Sequence, residues 1–171
     1  MYIMQDTDMF NFSLDSVLLP NFVTINKNIQ NILDIGCGNA PIPLILSTKT
    51  KANIMGVEIQ KSVFDLALES VKINNLEHQI KIVNDDIREL SKNLETESFD
   101  IITCNPPFFK VNENSNMNDS EYKKIARHEI TLNLEDIIKE ASIILRQGGY
   151  FTMVHRPERL GEIFVLLNKS F

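Results

Sequence analysis

Short apolar runs rich in β-branched residues alternate with amphipathic stretches along almost the whole chain, and this alternation constrains the fold more than any other feature. Strands are predicted over residues 31–35, 53–59, 80–84, 99–104 and 150–155. Helices are predicted over 41–47, 62–74, 134–145 and 160–171, and Gly148-Gly149 is expected to end the third of them. Alternating strands and helices pair in parallel through right-handed crossovers. The prediction is an α/β fold with a doubly wound, mostly parallel sheet and helices on both faces.

The composition is that of one globular domain over residues 1–171, with 43% hydrophobic residues and a formal net charge of −6. A mildly acidic chain is not a nucleic-acid clamp over its whole surface, although a local basic patch remains possible. No apolar run approaches the roughly 18 residues of a membrane helix, and the N-terminus lacks the pattern of a signal peptide. We therefore expect a cytoplasmic location.

Cysteine and histidine are scarce and scattered. Cys37 and Cys104 are the two cysteines, and His78, His128 and His155 are the three histidines. Their spacing fits no zinc site. In a reducing compartment, isolated thiols are usually small buried apolar residues, so neither a metal nor a disulfide is expected.

Glycines and acids follow the first three predicted strands. Gly36 and Gly38 would let a ligand approach the backbone closely, but Pro41 replaces the third glycine of a dinucleotide fingerprint. Glu58 ends the second strand and could accept hydrogen bonds from both ribose hydroxyls, while an acid of Asp85-Asp86 could accept from an adenine amino group. The combination predicts an adenosyl ligand without a phosphate chain. Taken singly, each residue also fits a tight turn or a solvated acid at a strand end.

The segment Asn105-Pro106-Pro107-Phe108 follows the fourth strand, which lies across the switch point from the first. An aromatic amino nitrogen is a poor nucleophile, because its lone pair is delocalised into the ring. Acceptors aimed at both amino protons would expose that lone pair. The Asn105 side-chain oxygen and a backbone carbonyl preset by the prolines could be these acceptors, and Phe108 could stack on an extruded base. The alternative is a turn that only ends the strand.

A polar stretch and several basic residues lie near the same predicted edge. Residues 111–121 are rich in Asn, Ser, Glu and Asp and are predicted to form a long mobile loop. The basic residues that flank this loop or follow the fifth strand are Lys110, Lys123, Lys124, Arg127, His128, Arg156 and Arg159. They are candidates for phosphate contacts, and the alternative is a set of ordinary solvated charges.

These motifs resemble the class I S-adenosylmethionine methyltransferases that act on amino groups, whose signature is Asn/Asp-Pro-Pro-Tyr/Phe. More narrowly, the chain is similar to the bacterial enzymes that N6-methylate an adenosine beside the anticodon of valine tRNA. Three further stretches carry this likeness: Phe-Ser-Leu-Asp-Ser-Val-Leu-Leu at 12–19, Ala-Arg-His-Glu at 126–129 and His-Arg-Pro-Glu-Arg-Leu at 155–160. The resemblance covers nearly the whole chain.

The resemblance implies S-adenosyl-L-methionine as cofactor and tRNA as substrate. Asp34 would hold the methionine part of the cofactor, Glu58 its ribose, and Asp86 with the Ile87 backbone its adenine. The full set of implied cofactor residues is Phe12, Asp15, Asp34, Gly36, Gly38, Glu58, Asp86, Ile87 and Asn105. The implied catalytic residues, which would hold the target base, are Asn105, Pro106, Pro107 and Phe108. Ala40 stands where many family members carry glycine.

The chain departs from the family pattern at its C-terminal end. The family fold closes with two further strands after the last helix, so a shortened sheet of five strands with an open edge is expected here. Activity would then be less certain than cofactor binding, and a cofactor-binding fragment without activity is one alternative. A glutamine-N5 methyltransferase acting on peptide release factors is another, although that group usually has Tyr at the position of Phe108. A DNA adenine methyltransferase is the third.

Overall fold

The computed structural model describes residues 1–6, 13–106 and 133–171. Its strands are β1 Asn31–Ile35, β2 Asn53–Val57, β3 Ile80–Val83, β4 Phe99–Cys104 and β5 Leu145–Met153. Its helices are α1 Leu14–Phe22, α2 Pro41–Ser47, α3 Lys61–Ile73, α4 Leu90–Asn93, α5 Leu134–Ile144 and α6 Leu160–Ser170. Single 3₁₀ turns at Ile87–Glu89 and Pro157–Arg159 lead into α4 and α6.

The strands form one sheet in the order β3-β2-β1-β4-β5, and every neighbouring pair is parallel. The predicted doubly wound α/β fold is confirmed. Ile35 at the end of β1 lies opposite both Val57 of β2 and Cys104 of β4, so the carboxyl ends of the three central strands are level. The order reverses beside β1, and ligands of such sheets bind in the crevice at this point.

Two hydrophobic cores lie on opposite faces of the sheet, because successive residues of a strand point to opposite sides. Ile32 and Ile101 pack with residues of α1, α2 and α3 on one face. Leu33 and Ile102 pack with residues of α5 on the other. All four side chains are fully buried. Burial on both faces explains why these strands are continuous apolar runs and fixes the strand ends on which the site is built.

Two helices begin at residues that suit a helix N-terminus. Pro41 opens α2, where a missing N–H costs nothing. Asn133 precedes α5, and its side-chain oxygen accepts a hydrogen bond from the N–H of Asp136 at 2.8 Å. Both starts agree with the predicted ones.

The prediction that Gly148-Gly149 ends a helix is wrong. α5 ends at Ile144, and β5 begins at the next residue, Leu145. Gly148 has φ +75°, and a Cβ on Gly149 would lie 2.9 Å from the carbonyl oxygen of Asp100. The pairing of β5 with β4 shifts register at this point. The glycines therefore form an irregularity within β5, where two backbones approach too closely for side chains.

Helix α1 has no counterpart among the predicted helices. Pro20 lies inside it, and an interior proline removes a hydrogen bond and argues against a helix. Leu19 and Pro20 are nevertheless buried, and the Lys49 ammonium donates to the Pro20 carbonyl at 2.7 Å. Packing of α1 on α2 offsets the local cost of the proline.

Strand β5 forms one edge of the sheet within the described ranges, and β3 forms the other. Helix α6 covers part of β5: the ring of Phe171 stacks on that of Phe151 with centroids 6.2 Å apart, and Ile163 is buried between the elements. Among residues 1–6, 13–106 and 133–171, no helix is both long and apolar enough to cross a bilayer.

Candidate active site

The carboxyl edge of the sheet gathers the predicted site residues that the structure describes. The turn Gly36–Ala40 follows β1, Glu58 follows β2, Asp85 and Asp86 follow β3, and Asn105 follows β4. Because β1 pairs with both β2 and β4, the glycine turn lies between Glu58 and Asn105. Asn105 and Pro106 therefore follow the strand end next to that of the glycine turn.

The turn after β1 runs through the left-handed region at three positions, with φ of +66° at Gly36, +56° at Gly38 and +71° at Ala40. Glycine adopts this region freely, whereas alanine does so at a cost of about 1 kcal/mol. A Cβ on Gly38 would meet nothing within 4 Å. The backbone of Gly38 therefore borders open space in which a ligand could lie.

Cys37 anchors this turn to the neighbouring strand. Its N–H donates to the carbonyl of Val57 at 3.0 Å, and its side chain is buried against Gly56, where an added Cβ would lie 2.8 Å from the Cys37 sulfur. Burial raises the pKa of the Cys37 thiol well above its ordinary value, with the nearby Asp34 and Glu58 acting in the same direction. The thiol stays neutral and serves as packing.

Glu58 joins the turn to the end of β2. One carboxylate oxygen accepts from the N–H of Gly38 at 3.1 Å and the other from the N–H of Gln60 at 2.9 Å. The side chain is 6% exposed. Asn84 steadies the backbone from the next strand end, since its amide donates to the carbonyls of Glu58 and Ile59. Each carboxylate oxygen keeps a second acceptor position for a ligand hydroxyl.

Asp34 is a fully buried acid in the middle of the sheet. Its Oδ1 accepts a hydrogen bond from the Thr103 hydroxyl at 2.6 Å, whereas Oδ2 has no partner within the described residues. Burial raises the pKa of the Asp34 carboxyl to about 7; the Thr103 bond lowers it and the charge of Glu58 raises it further. A buried acceptor without a donor lowers the stability of the fold. It therefore marks a position where a hydrogen-bond donor of a ligand could bind.

Asp86 has a structural role in addition to its predicted contact with the ligand. Its carboxylate accepts from the backbone N–H of Arg88 at 3.0 Å, which caps the following turn, and also pairs with the Arg88 guanidinium. These bonds to Arg88 hold the pKa of Asp86 below its ordinary value. The Ile87 side chain is buried in the core. Only the Ile87 backbone and the remaining acceptor positions of Asp86 are left to contact a ligand.

Asn105 is half-buried, and the Pro106 that follows it is buried. The amide nitrogen of Asn105 donates to the Ser16 hydroxyl on α1 at 3.1 Å. The amide oxygen makes no bond within the described residues and so remains an acceptor. Asp15, beside Ser16, lies in the first turn of α1, where its carboxylate accepts from the Ser13 hydroxyl.

Comparison with known proteins identifies the family. Residues 14–171 match the methyltransferase small domain family. The chain belongs to this family. The chain is 30% identical to a tRNA1(Val) (adenine(37)-N6)-methyltransferase of Flavobacterium psychrophilum over 99% of its length and 70% of the relative's. It is 33% identical to an enzyme of the same name from Porphyromonas gingivalis, over 78% of the chain and 52% of that relative. The chain thus spans between about half and 70% of such relatives.

Solved structures agree on the fold of this methyltransferase domain. A predicted O-methyltransferase from Agrobacterium tumefaciens superposes with a TM-score of 0.68 at 20% identity, over 90% of this chain and 66% of that one. A geranyl diphosphate C-methyltransferase from Streptomyces coelicolor, solved with S-adenosyl-L-homocysteine, gives 0.61 at 13% identity, over 82% and 43%. At these identities the likeness supports the architecture alone.

Some predicted residues of the methyltransferase domain lie outside the described ranges: Phe12, Pro107, Phe108, Lys110, Lys123, Lys124, Arg127, His128 and the predicted loop at 111–121. Two of the predicted phosphate-contact residues are described: Arg159 pairs with Glu162 at 2.7 Å, and Arg156 is exposed. The N–H of Arg156 donates to Nδ1 of His155, whose pKa is lowered by partial burial and by the charge of Arg159.

Sequence reasoning did not select Thr103 or Ser16. Thr103 interrupts an apolar strand two residues before Asn105, and a hydroxyl in such a strand signals a buried polar partner. That partner, Asp34, becomes apparent only from the register of β1 against β4. The described residues contain no cluster of potential metal ligands, and both cysteines are free and buried.

Proposed function

We propose that this chain, as a single methyltransferase domain over residues 1–171, transfers a methyl group from S-adenosyl-L-methionine to the N6 amino group of an adenosine in tRNA. The names of its relatives support tRNA and the N6 position, and they favour an adenosine beside the anticodon of valine tRNA. The observation that carries the proposal is the pairing of β1 with β4, which brings the glycine turn and Asn105 to one edge of the sheet.

The residues present fit the cofactor. The unpaired Oδ2 of Asp34 suits an ammonium donor, the open side of Gly38 admits a ligand close to the backbone, and the spare acceptor positions of Glu58 suit ribose hydroxyls. Asp86 and the Ile87 backbone would hold adenine, with Phe12 and Asp15 on the N-terminal side. When bound, the cofactor supplies an electrophilic methyl group on a sulfonium.

Asn105 would orient the target amine. Its amide oxygen and the carbonyl of Pro106 would accept hydrogen bonds from the two amino N–H groups, which would draw the nitrogen lone pair out of conjugation and toward the methyl group. Pro107 restricts the backbone of Pro106, so the direction of that carbonyl is preset. Phe108 would stack on the extruded base. The nitrogen–methyl bond would form as the sulfonium–methyl bond breaks and S-adenosylhomocysteine leaves. The nitrogen would then lose its proton to water, so no general base with a shifted pKa is required.

The RNA would be held at the mouth of this edge by cations. Arg156 is exposed there and Arg159 is joined to Glu162. Lys110, Lys123, Lys124 and Arg127 are further proposed contacts from the sequence. Phosphate contacts of this kind position a nucleic acid without reading its bases. We place the enzyme in the cytoplasm, where tRNA is modified in bacteria.

The function is tested by incubating the protein with labelled cofactor and either bulk tRNA or peptide release factor, followed by digestion. N6-methyladenosine supports the proposal, whereas methylglutamine would replace it with the release-factor activity. Cofactor binding without transfer to either substrate would support a binding fragment. Asn105→Ala should lower transfer by about 100- to 1000-fold and weaken cofactor binding far less. Asn53→Ala, at the opposite edge of the sheet, is the matched control and should retain activity.

A further inference from the structure

The Asn105 amide is held by a residue from a distant part of the chain. Its nitrogen donates to the hydroxyl of Ser16 at 3.1 Å, across 89 residues of sequence. Ser16 is only 6% exposed. In a site so screened from water, a hydrogen bond between two side chains restricts their rotation more effectively than one on the surface.

A carboxamide has two chemically opposite ends, and only one of them suits the proposed reaction. The oxygen can accept a hydrogen bond from an N–H of the target amine, whereas the nitrogen carries two donors that would oppose that N–H. The two orientations have nearly the same shape, so packing alone distinguishes them poorly. In this structure the nitrogen end donates to the Ser16 hydroxyl, and this contact leaves the oxygen end available.

We propose that Ser16 is a positioning residue for methyl transfer: its hydroxyl holds the Asn105 amide so that the oxygen faces the target amine. This role rests on the proposed function. It assigns α1 a part in the reaction beyond packing, and it links the segment before β1 directly to the end of β4.

The position of the Ser16 hydroxyl is itself determined by the docking of α1. The N–H of Ser16 donates to the carbonyl of Ser13 at 3.1 Å, which starts the helix. At the other end, the Lys49 ammonium donates to the Pro20 carbonyl, and Leu19 is buried in the core with residues of α2. The helix is thus anchored to the rest of the domain within about one turn after Ser16, and the hydroxyl is presented to Asn105 from this support.

The decisive comparison is between Ser16→Ala and Ser16→Thr, in single-turnover methyl transfer to the RNA. Ser16→Ala should lower the transfer rate about tenfold and change the affinity for S-adenosylhomocysteine far less, because the proposed cofactor contacts Asp34, Gly38 and Glu58 lie on other elements. Ser16→Thr keeps the hydroxyl and should recover most of the rate. Thermal unfolding of each variant shows whether the fold is retained.

Ser47→Ala is the matched control. Ser47 is likewise a buried serine on a helix, and its hydroxyl donates to the Leu44 carbonyl at 2.7 Å, away from Asn105. A wild-type rate for Ser16→Ala would overturn the positioning role while leaving the proposed function in place. An equal loss for Ser47→Ala would also overturn it, since the effect would then follow from general destabilisation.

A second measurement tests the contact without any activity. In ¹⁵N-labelled protein, the side-chain amide signal of Asn105 is identified by its loss in Asn105→Ala. Its protons should exchange with water several times more slowly in the wild type than in Ser16→Ala. Equal exchange in the two proteins would overturn the contact. If wild-type protein transfers no methyl group at all, the proposed function fails, and this exchange comparison still decides whether Ser16 holds the amide.

Discussion

Two buried aspartates on neighbouring central strands have opposite surroundings. Asp100, near the amino end of β4, accepts from the N–H groups of Gln30 and Asn31 at 2.6 and 2.8 Å and pairs with Arg146. Asp34, near the carboxyl end of β1, has one hydroxyl donor and one oxygen without a partner in the described part of the chain. Their exposed fractions are nearly equal, at 3% and 0%.

The difference separates a structural carboxylate from one that is available for function. The donors around Asp100 are complete, so its charge helps to fasten the start of β1 to β4. Burial removes water from Asp34, and the hydrogen bonds of the fold do not compensate for this loss. Such groups occur where a ligand supplies the missing hydrogen-bond donor. Asp100 at the amino edge therefore stabilises the domain, whereas Asp34 at the carboxyl edge costs it stability.

The largest expected effect is the loss of stability in Asp100→Asn. The amide keeps the shape, but if its oxygen accepts from both backbone N–H groups, its nitrogen faces the Arg146 guanidinium, which loses its carboxylate partner. We expect a loss of about 4 kcal/mol in the free energy of unfolding, measured by urea denaturation. Asp34→Asn is the matched control with the same change of atoms. A loss at residue 34 as large as that at residue 100 would remove the distinction between them.

The second prediction concerns Asp34 and pH. Its pKa is about 7 in the fold and near 3.8 when unfolded, so between these values the folded protein binds more protons and its stability falls as pH rises. Asn at this position does not titrate. The stability of Asp34→Asn relative to wild type should therefore increase by about 3 kcal/mol from pH 5 to pH 8. Parallel stability curves for the two proteins over this range would contradict the assignment.

The same variant tests the ligand at this edge. Binding of a cationic ammonium group favours the ionised form of Asp34, so cofactor binding by the wild type should release protons near pH 7. Asp34→Asn should abolish this release and weaken binding of S-adenosylhomocysteine. Calorimetry in buffers of different ionisation enthalpy measures both.

Glu58→Gln should have a smaller effect, which we expect to measure in ligand binding. The glutamine oxygen can accept only one of the two backbone bonds that the carboxylate makes, and it is a weaker acceptor for ribose. We expect S-adenosylhomocysteine to bind less tightly by about 2 kcal/mol. Glu140→Gln is the control, because Glu140 is also buried and also accepts from a backbone N–H, that of Ser91, but lies on α5. An equal loss of S-adenosylhomocysteine affinity in both variants would show that Glu58 does not contact the ligand.

Thr103→Val should produce the smallest change. Without the hydroxyl, the pKa of Asp34 should rise above its wild-type value, and ligand affinity at pH 7 should fall by about 1 kcal/mol. Thr103→Ser retains the hydroxyl and should restore both. Unchanged proton release in Thr103→Val would mean that the Thr103 bond does not tune Asp34.

The sequence predicted those parts of the fold that depend on local patterns. The bounds of β1, α2 and β4 agree with prediction because each apolar run is bordered by polar, glycine or proline residues. The prediction failed at Gly148-Gly149, where the close approach of the backbone to Asp100 requires glycine within a strand. It also failed at α1, where the burial of apolar residues outweighs the unfavourable effect of Pro20 on the helix. Both failures have tertiary causes that a local pattern does not contain.

In the candidate site, too, local features could be predicted from the sequence and tertiary contacts could not. Gly36, Glu58 and Asn105 could be proposed from their positions at strand ends, and their roles remain predictions to be tested by the variants above. Thr103 and Ser16 act through partners 69 and 89 residues away, so no spacing in the sequence reveals them. The double use of Asp86, as a cap and as the partner of Arg88, likewise depends on side-chain geometry.

The packing of Cys37 beneath the glycine turn gives the domain a built-in reporter. Its sulfur is enclosed by Gly56 and stays protonated, so a thiol reagent can reach it only when the turn lifts away from β2. The rate of alkylation of the Cys37 sulfur therefore reports how often the cofactor turn opens. Any ligand that clamps the turn shut must slow that chemistry in proportion to its occupancy.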